Sequence, residues 1–420
     1  MGRIRRSPLA ASLLTVMNPV GAESVNETIE ETRQRPLRIG LNLIFLEPRL
    51  GGTGRYAMEL PNALIGAEPE TEVHVFVSRD CPQQLKAEPW ASDVRWTTLP
   101  VRVSGPPIHA LAQFAALPAL ARARGLDVLH SPGNWGPVLT PGVASVVSLL
   151  DLIWLHRAAQ WSPSSVVPHK VRLLVRHSVR HADRLFAISH AAADDFVNTL
   201  GVPRDRIEVT PLGVRTPRAA PSVTEAELRT RLQLGAARVV LCVAQKRPYK
   251  NLHSLVRALP ELEEDAVVVL PGTPTAYERD LRTLAAELGV ASRVRFLEWL
   301  EEDELERLYC LSSAFVLPSL IEGFGLPVLE AMARGVPVAC ANAAALREVA
   351  GEAALLFDPA RQEEVTAAVR RLLDDRALAG RLAKAGYERV EKFPWERTGA
   401  ATLAGYRRAI ATRLSGMPPQ

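Results

Sequence analysis

From Arg38 onward the chain alternates short apolar runs with segments of helix length. In the first half the runs are Ile39–Leu46, Val73–Val77, Val128–His130, Ala144–Leu149 and Leu185–Ile188. They are rich in β-branched residues and lack strict alternation, which suits strands buried on both faces, and their spacing suits the βαβ units of a parallel sheet. The pattern breaks at the Pro/Ala-rich stretch Thr216-Pro217-Arg218-Ala219-Ala220-Pro221. It then restarts with runs at Val239–Val243, Ala266–Leu270, Val294–Leu297, Ala314–Leu317, Pro337–Ala341 and Ala354–Phe357. Two α/β halves therefore follow one another, each a doubly wound layer. Open parallel sheets bind ligands beyond the carboxyl ends of their strands, so two facing halves can hold two substrates at once. The architecture by itself points to group transfer.

A length of 420 residues is enough for two full cores, and 47% hydrophobic with 23% charged residues excludes a disordered, collagen-like or coiled-coil chain. Residues 1–215 carry 23 Lys and Arg against 19 Asp and Glu, residues 216–420 carry 27 of each, and eight of the nine His lie between His74 and His190. So small a basic excess, with 5% aromatics, is no nucleic-acid footprint. It leaves an anionic small substrate or an acidic lipid surface as partner. Cys81, Cys242, Cys310 and Cys340 show neither CxxC nor Cys/His spacing, which implies buried thiols, a reducing cytoplasmic compartment and no structural metal. No apolar run is long enough to span a membrane. The segment Arg3 to Ala22 loosely imitates a signal peptide, but Pro19 and the Glu-rich stretch to Arg35 favour a disordered leader.

The strongest motif is Glu322-Gly323-Phe324-Gly325-Leu326-Pro327-Val328-Leu329-Glu330, directly after the run ending Val316-Leu317-Pro318-Ser319. Pro327 fits the first turn of a helix and the glycines a loop opening it, so the backbone N–H groups of Gly323 to Leu326 would face an anion. A carboxylate accepts two hydrogen bonds from a vicinal diol. Glu322 and Glu330 thus suit the two diols of a nucleotide-sugar, with its diphosphate between them. The passage Phe315 to Pro359, including Glu330-Ala331-Met332-Ala333 and Ala354-Leu355-Leu356-Phe357-Asp358-Pro359, resembles the retaining glycosyltransferases of family 4, whose hallmark is two Glu separated by seven residues. Mannosyltransferase-like members are the most similar in wording.

That resemblance implies the GT-B fold and extends over most of residues 38–410. Arg38-Ile39-Gly40-Leu41-Asn42 with Gly51-Gly52-Thr53-Gly54-Arg55-Tyr56 looks like the family's first strand and glycine loop, and Gly51-Gly52-Thr53-Gly54 does not fit a dinucleotide GxGxxG. Val243-Ala244-Gln245-Lys246-Arg247-Pro248-Tyr249-Lys250 resembles the segment that gives an Arg and a Lys to the diphosphate. Lys250 matches the Lys, whereas Gln245 stands at the Arg position, leaving Lys246 or Arg247 to compensate. Fixed cations are needed because a departing nucleoside diphosphate gains negative charge, and no DxD is present to hold a metal ion. In Val146-Val147-Ser148-Leu149-Leu150-Asp151 the family's usual His is replaced by Leu150, with His130 or Asp151 as candidates for its place. The basic stretch His169 to His181 reads as an amphipathic helix, either solvated or lying on a membrane surface.

The resulting expectation is two Rossmann-like doubly wound domains facing each other across a cleft: a leader over 1–36, an acceptor-side domain over 37–215, a nucleotide-sugar domain over 216–395, and a helix over 396–420 returning to the first domain. The expected activity is retaining transfer of a hexose, mannose among the candidates, from a nucleoside-diphosphate sugar to a hydroxyl of a glycan, lipid carrier or small molecule. No cofactor or metal is expected. Glu322, Lys250, Asp151 and His130 are the catalytic candidates; Gly51, Gly52, Gln245, Lys246, Arg247, Lys250, Gly323, Phe324, Gly325, Leu326 and Glu330 are the donor-binding ones. The enzyme is expected in the cytoplasm, with contact to the inner membrane face as a second reading. The alternative function is a silent GT-B subunit that binds an acceptor or partner without turnover, suggested by Leu150 and Gln245.

Overall fold

A computed structural model of the chain describes residues 35–47, 51–103, 110–156, 169–217 and 222–415. The expected leader lies outside the described residues apart from positions 35 and 36, as does the Arg218–Pro221 part of the expected linker. Strands β1 (Arg38–Leu43), β2 (Glu72–Val77), β3 (Arg95–Thr98), β4 (Val128–Ser131), β5 (Ala144–Leu149), β6 (Arg184–Ala187) and β7 (Ile207–Val209) form a seven-stranded sheet in the order β3-β2-β1-β4-β5-β6-β7. A second sheet holds β8 (Arg238–Leu241), β9 (Ala266–Pro271), β10 (Val294–Leu297), β11 (Ala314–Leu317), β12 (Val338–Ala341) and β13 (Ala354–Phe357) in the order β10-β9-β8-β11-β12-β13. Each strand pairing is parallel. This is the doubly wound α/β pair that the apolar runs predict.

Every apolar run contains a strand, and the central ones are buried on both faces: β5, β9, β11 and β12 carry no exposed position, while the edge strands β10 and β13 are only partly buried. Two edge strands, β3 and β7, had no such signal. β3 reads Arg-Trp-Thr-Thr and β7 Ile-Glu-Val, short and half polar, as edges with one unpaired side are.

The stretch His169–His181 is one helix, as its periodicity predicts. The last helix, Trp395–Leu414, lies on the first sheet rather than the second. It packs on β5, β6 and the helix Gly52–Ala67, and Gly399 meets the Ala63 carbonyl so closely that no Cβ fits there. Its Tyr406 is fully buried against Phe186 with ring centroids 5.7 Å apart. Burying one such side chain contributes about 1.5–3 kcal/mol, so this helix fixes the first domain. Among the described residues no helix is long and apolar enough to cross a membrane.

Candidate active site

Strands β8 and β11 are neighbours, with Ala314 opposite Val240 and Phe315 opposite Leu241. Their carboxyl ends open side by side, and the loops leaving them carry Lys250 and Glu322. A hydrogen bond from Leu320 N to Tyr249 O, 2.8 Å, ties those loops together. Lys250 is set by a tight turn over Pro248–Lys250 and by Asn251, whose φ of 55° suits an Asn better than a bulkier residue. Its Nζ stands 2.6 Å from Glu322 Oε1, with the two side chains only 15% and 10% exposed. Burial lowers the affinity of Lys250 for its proton, but the nearby Glu322, Tyr249 and Asp151 outweigh burial and hold the pKa above its ordinary value.

Asp151 faces this pair from the end of β5 in the other sheet. Its Oδ1 accepts from Ile153 N at 3.1 Å. Burial raises its pKa, Glu322 adds to the rise, and the Ile153 amide and Lys250 oppose it. The two halves touch here through Gly323. A Cβ at 323 would stand 2.5 Å from Leu150 O and 3.0 Å from Asp151 Cβ, so a glycine is what lets Glu322 approach Asp151. Ser189 Oγ also donates to Gly323 O at 2.7 Å.

Beyond Gly323 the chain turns at Gly325, φ 104°, a left-handed conformation in which a Cβ would also meet Leu346. The helix Leu326–Met332 starts there with Pro327 in its first turn. Glu330 emerges from it, and its Oε2 accepts from the buried Tyr309 hydroxyl at 2.8 Å. Glu330 lines an open pocket together with Arg55, Arg215, Glu302, Tyr309 and Leu326. Arg55 comes from the first domain and crosses the cleft to place Nη1 2.8 Å from Glu302 Oε1. Burial lowers the Arg55 pKa, but Glu330 and Glu302 more than restore it.

Comparison with known proteins fits this geometry. The family described as Glycosyltransferase Family 4 matches residues 50–218, and Glycosyl transferases group 1 matches residues 225–389. A GDP-mannose-dependent alpha-(1-6)-phosphatidylinositol monomannoside mannosyltransferase of Mycobacterium tuberculosis is 30% identical over 359 residues, covering 73% of this chain and 91% of the relative. The chain belongs to glycosyltransferase family 4. An MMP alpha-(1->4)-mannosyltransferase of Mycolicibacterium hassiacum is 35% identical over 243 residues, and this glycosyltransferase spans only 56% of that relative's length, about half. Among solved structures, Anabaena HepE in complex with UDP and glucose superposes with a TM-score of 0.68 at 21% identity, covering 87% of this chain and 99% of that one. The fold is GT-B.

In this glycosyltransferase Glu322, Lys250, Asp151 and Gly323 come together, and Glu330 lies in the same cleft. Gly51 and Gly52 are exposed at the start of the helix Gly52–Ala67, and a Cβ on Gly51 would stand 3.6 Å from Gln245 Nε2 of the other domain. Gly51 and Gln245 therefore face each other across the cleft. Arg247 stays exposed beside Gln245, Nε to Oε1 at 3.2 Å. Phe324 turns its ring into the core, 3% exposed and edge-on to Phe393, so its backbone alone faces the loop.

Two expectations fail. His130 is not in the cleft: it is fully buried, with Nδ1 2.6 Å from Tyr406 Oη and Nε2 2.7 Å from Ser148 Oγ, and burial pushes its pKa down to about 3. A strand-end His with both nitrogens satisfied is structural. Lys246 is equally unavailable to a diphosphate. Its side chain is 0% exposed, and Nζ donates to Gly272 O at 2.5 Å and Leu297 O at 2.6 Å with Glu278 3.3 Å away. In the loop after β8 Gln245 and Arg247 are exposed while Lys246 between them is buried, a difference that the local sequence does not signal.

The sequence reading also missed Arg55, Tyr309 and the pair His156–Asp195, Nε2 to Oδ2 at 2.8 Å. Arg55 directly follows the glycine loop, a signal that was present. Tyr309 sits in an ordinary amphipathic helix, and nothing local marks it.

Proposed function

We propose that this glycosyltransferase moves a mannosyl group from a nucleoside-diphosphate mannose to a hydroxyl of a glycan, lipid carrier or small molecule, with retention at the anomeric carbon. The observation that carries the proposal is the Lys250–Glu322 pair at 2.6 Å, facing Asp151 across the cleft. A fixed ammonium at that place meets the charge that develops on a leaving diphosphate, and in a half-buried cleft such a preset charge outperforms solvent. Lys250 would share its donors between Glu322 and the diphosphate, with Arg247 as the second cation; these fixed charges do the work otherwise given to a metal ion. Glu322 then turns its free oxygen to the sugar hydroxyls. Glu330, steadied by Tyr309, keeps Oε1 for the ribose diol.

On this reading the acceptor enters from the first domain, along the rim that carries Asp151. Its oxygen bonds to the anomeric carbon from the face that the diphosphate leaves, and the departing phosphate oxygen takes the hydroxyl proton. No imidazole is needed at Leu150 for that step, and Leu150 instead donates its amide to Asn134 Oδ1 at 2.7 Å. Mannose is favoured because the M. tuberculosis relative is described as GDP-mannose-dependent and the M. hassiacum relative as a mannosyltransferase. A thermal-shift scan of GDP- and UDP-sugars tests the reading. GDP-mannose should raise the melting temperature above every other donor, since a ligand of the native state stabilises by mass action. Absence of a shift with any donor would contradict it.

A further inference from the structure

A second link between the domains lies beside the Gly323 contact, and the chemistry above does not use it. The helix His190–Leu200 belongs to the first domain. Its first amides have no partner within the helix, as at every helix start. Here they are satisfied from two sources. Ser189 Oγ accepts from Ala192 N at 2.9 Å, while Glu348 of the second domain takes His190 N on Oε1 and Ala191 N on Oε2, each at 3.0 Å. A carboxylate on a helix N-terminus is favoured by both the free amides and the helix dipole. Glu348 is half-buried on the short helix Ala344–Ala350, whose carbonyls at Glu348 and Val349 are held by the Arg389 guanidinium. The cap of a first-domain helix is therefore supplied by a braced group of the second.

The same cap residue touches the site. Ser189 Oγ accepts from Ala192 N and donates to Gly323 O, the residue packed on Leu150 and Asp151 and next to Glu322. We propose that Glu348 is a positioning residue: by completing the cap of His190–Leu200 from the opposite domain, it holds the domains in the register that brings Asp151 to the Lys250–Glu322 pair. Separating the domains strips two amides of their partner, and closing them restores both. The catalytic consequence rests on the function proposed above, whereas the clamp itself does not.

Amide hydrogen exchange by NMR on the full chain reads the clamp directly, without any ligand. In the wild type the His190 and Ala191 amides should be protected, and Glu348→Ala should speed their exchange about tenfold or more, with Glu348→Asp, which keeps the charge, falling between. Ala192, bonded to Ser189 within its own domain, serves as the internal control and should change least. Equal exchange of His190 and Ala191 in wild type and Glu348→Ala, in folded protein, overturns the clamp. GDP release from GDP-mannose then tests positioning. Glu348→Ala should lower kcat about tenfold with the donor KM within about twofold, because the charged groups proposed to grip the donor, Lys250, Arg247, Glu322 and Glu330, all sit on the second domain. A changed KM with unchanged kcat would overturn the positioning role, and a clamp that persists while no donor binds would instead count against the proposed function.

Discussion

Lys250 and Glu322 neutralise each other across two loops, Nζ to Oε1 at 2.6 Å, at the point where the second domain faces Asp151 of the first. Such a pair is costly to break from one side, because the remaining partner is left as a charge with little access to water.

Replacing Lys250 by Ala should therefore have two separable effects. Loss of the cation at the leaving group should lower kcat/KM about a hundred- to a thousandfold. Stranding Glu322 should cost about 3 kcal/mol of stability, measured by urea denaturation. The double variant Lys250→Ala/Glu322→Ala should recover much of the stability and none of the activity; recovery of turnover would show that the pair is structural only.

Gly323→Ala should impair turnover without unfolding the second domain. The new methyl would press on Leu150 O at 2.5 Å, so the domains must part by a few tenths of an ångström or more. Nucleoside-diphosphate binding, followed by calorimetry, should change little while kcat falls about tenfold. An alanine variant with wild-type kcat would mean that the contact does not set the reacting geometry.

Lys246→Met should behave as a fold variant. It removes the ammonium that donates to the Gly272 and Leu297 carbonyls and that stands 3.3 Å from Glu278, which keeps Arg282 at 2.6 Å. A loss of about 2–4 kcal/mol is expected, with donor affinity in the surviving folded protein within about twofold of wild type. A tenfold loss of affinity at unchanged stability would return Lys246 to the diphosphate site.

His130 makes the protein acid-labile in a defined window. Its pKa is about 6.5 unfolded and about 3 in the fold, lowered by burial, so between those values the unfolded chain binds the extra proton. Stability that is intact above about pH 6.5 should fall by up to about 1.4 kcal/mol per pH unit as pH drops toward 3. His130→Leu should flatten this slope over pH 6 to 4 in denaturant titrations, whatever it costs at neutral pH. An unchanged slope would mean that His130 is protonated in the native state.

The second domain was the more legible half. Runs such as Ala266–Leu270 announce buried strands by composition, and the spacing from Glu322 to Glu330 places both carboxylates from local sequence alone. Lys246 and His130 were misread because one residue in a loop, or at a strand end, gives no sign of whether it faces the cleft or the core. Only the partners at Gly272, Leu297, Tyr406 and Ser148, the Tyr406 one more than two hundred residues away, decide that. Arg55 and Tyr309 became visible for the same reason, when the folded cleft put them beside Glu302 and Glu330. The interdomain cap by Glu348 has no sequence signature, since Glu348 and Ala191 are joined by tertiary structure alone.

Calorimetric titration of GDP into the wild type and Lys250→Ala tests the account most directly. The account predicts saturable one-to-one binding to the wild type and binding weaker by about tenfold or more in the variant, the loss expected when one charged hydrogen bond to a phosphate is removed. Equal affinity in the two proteins would contradict it.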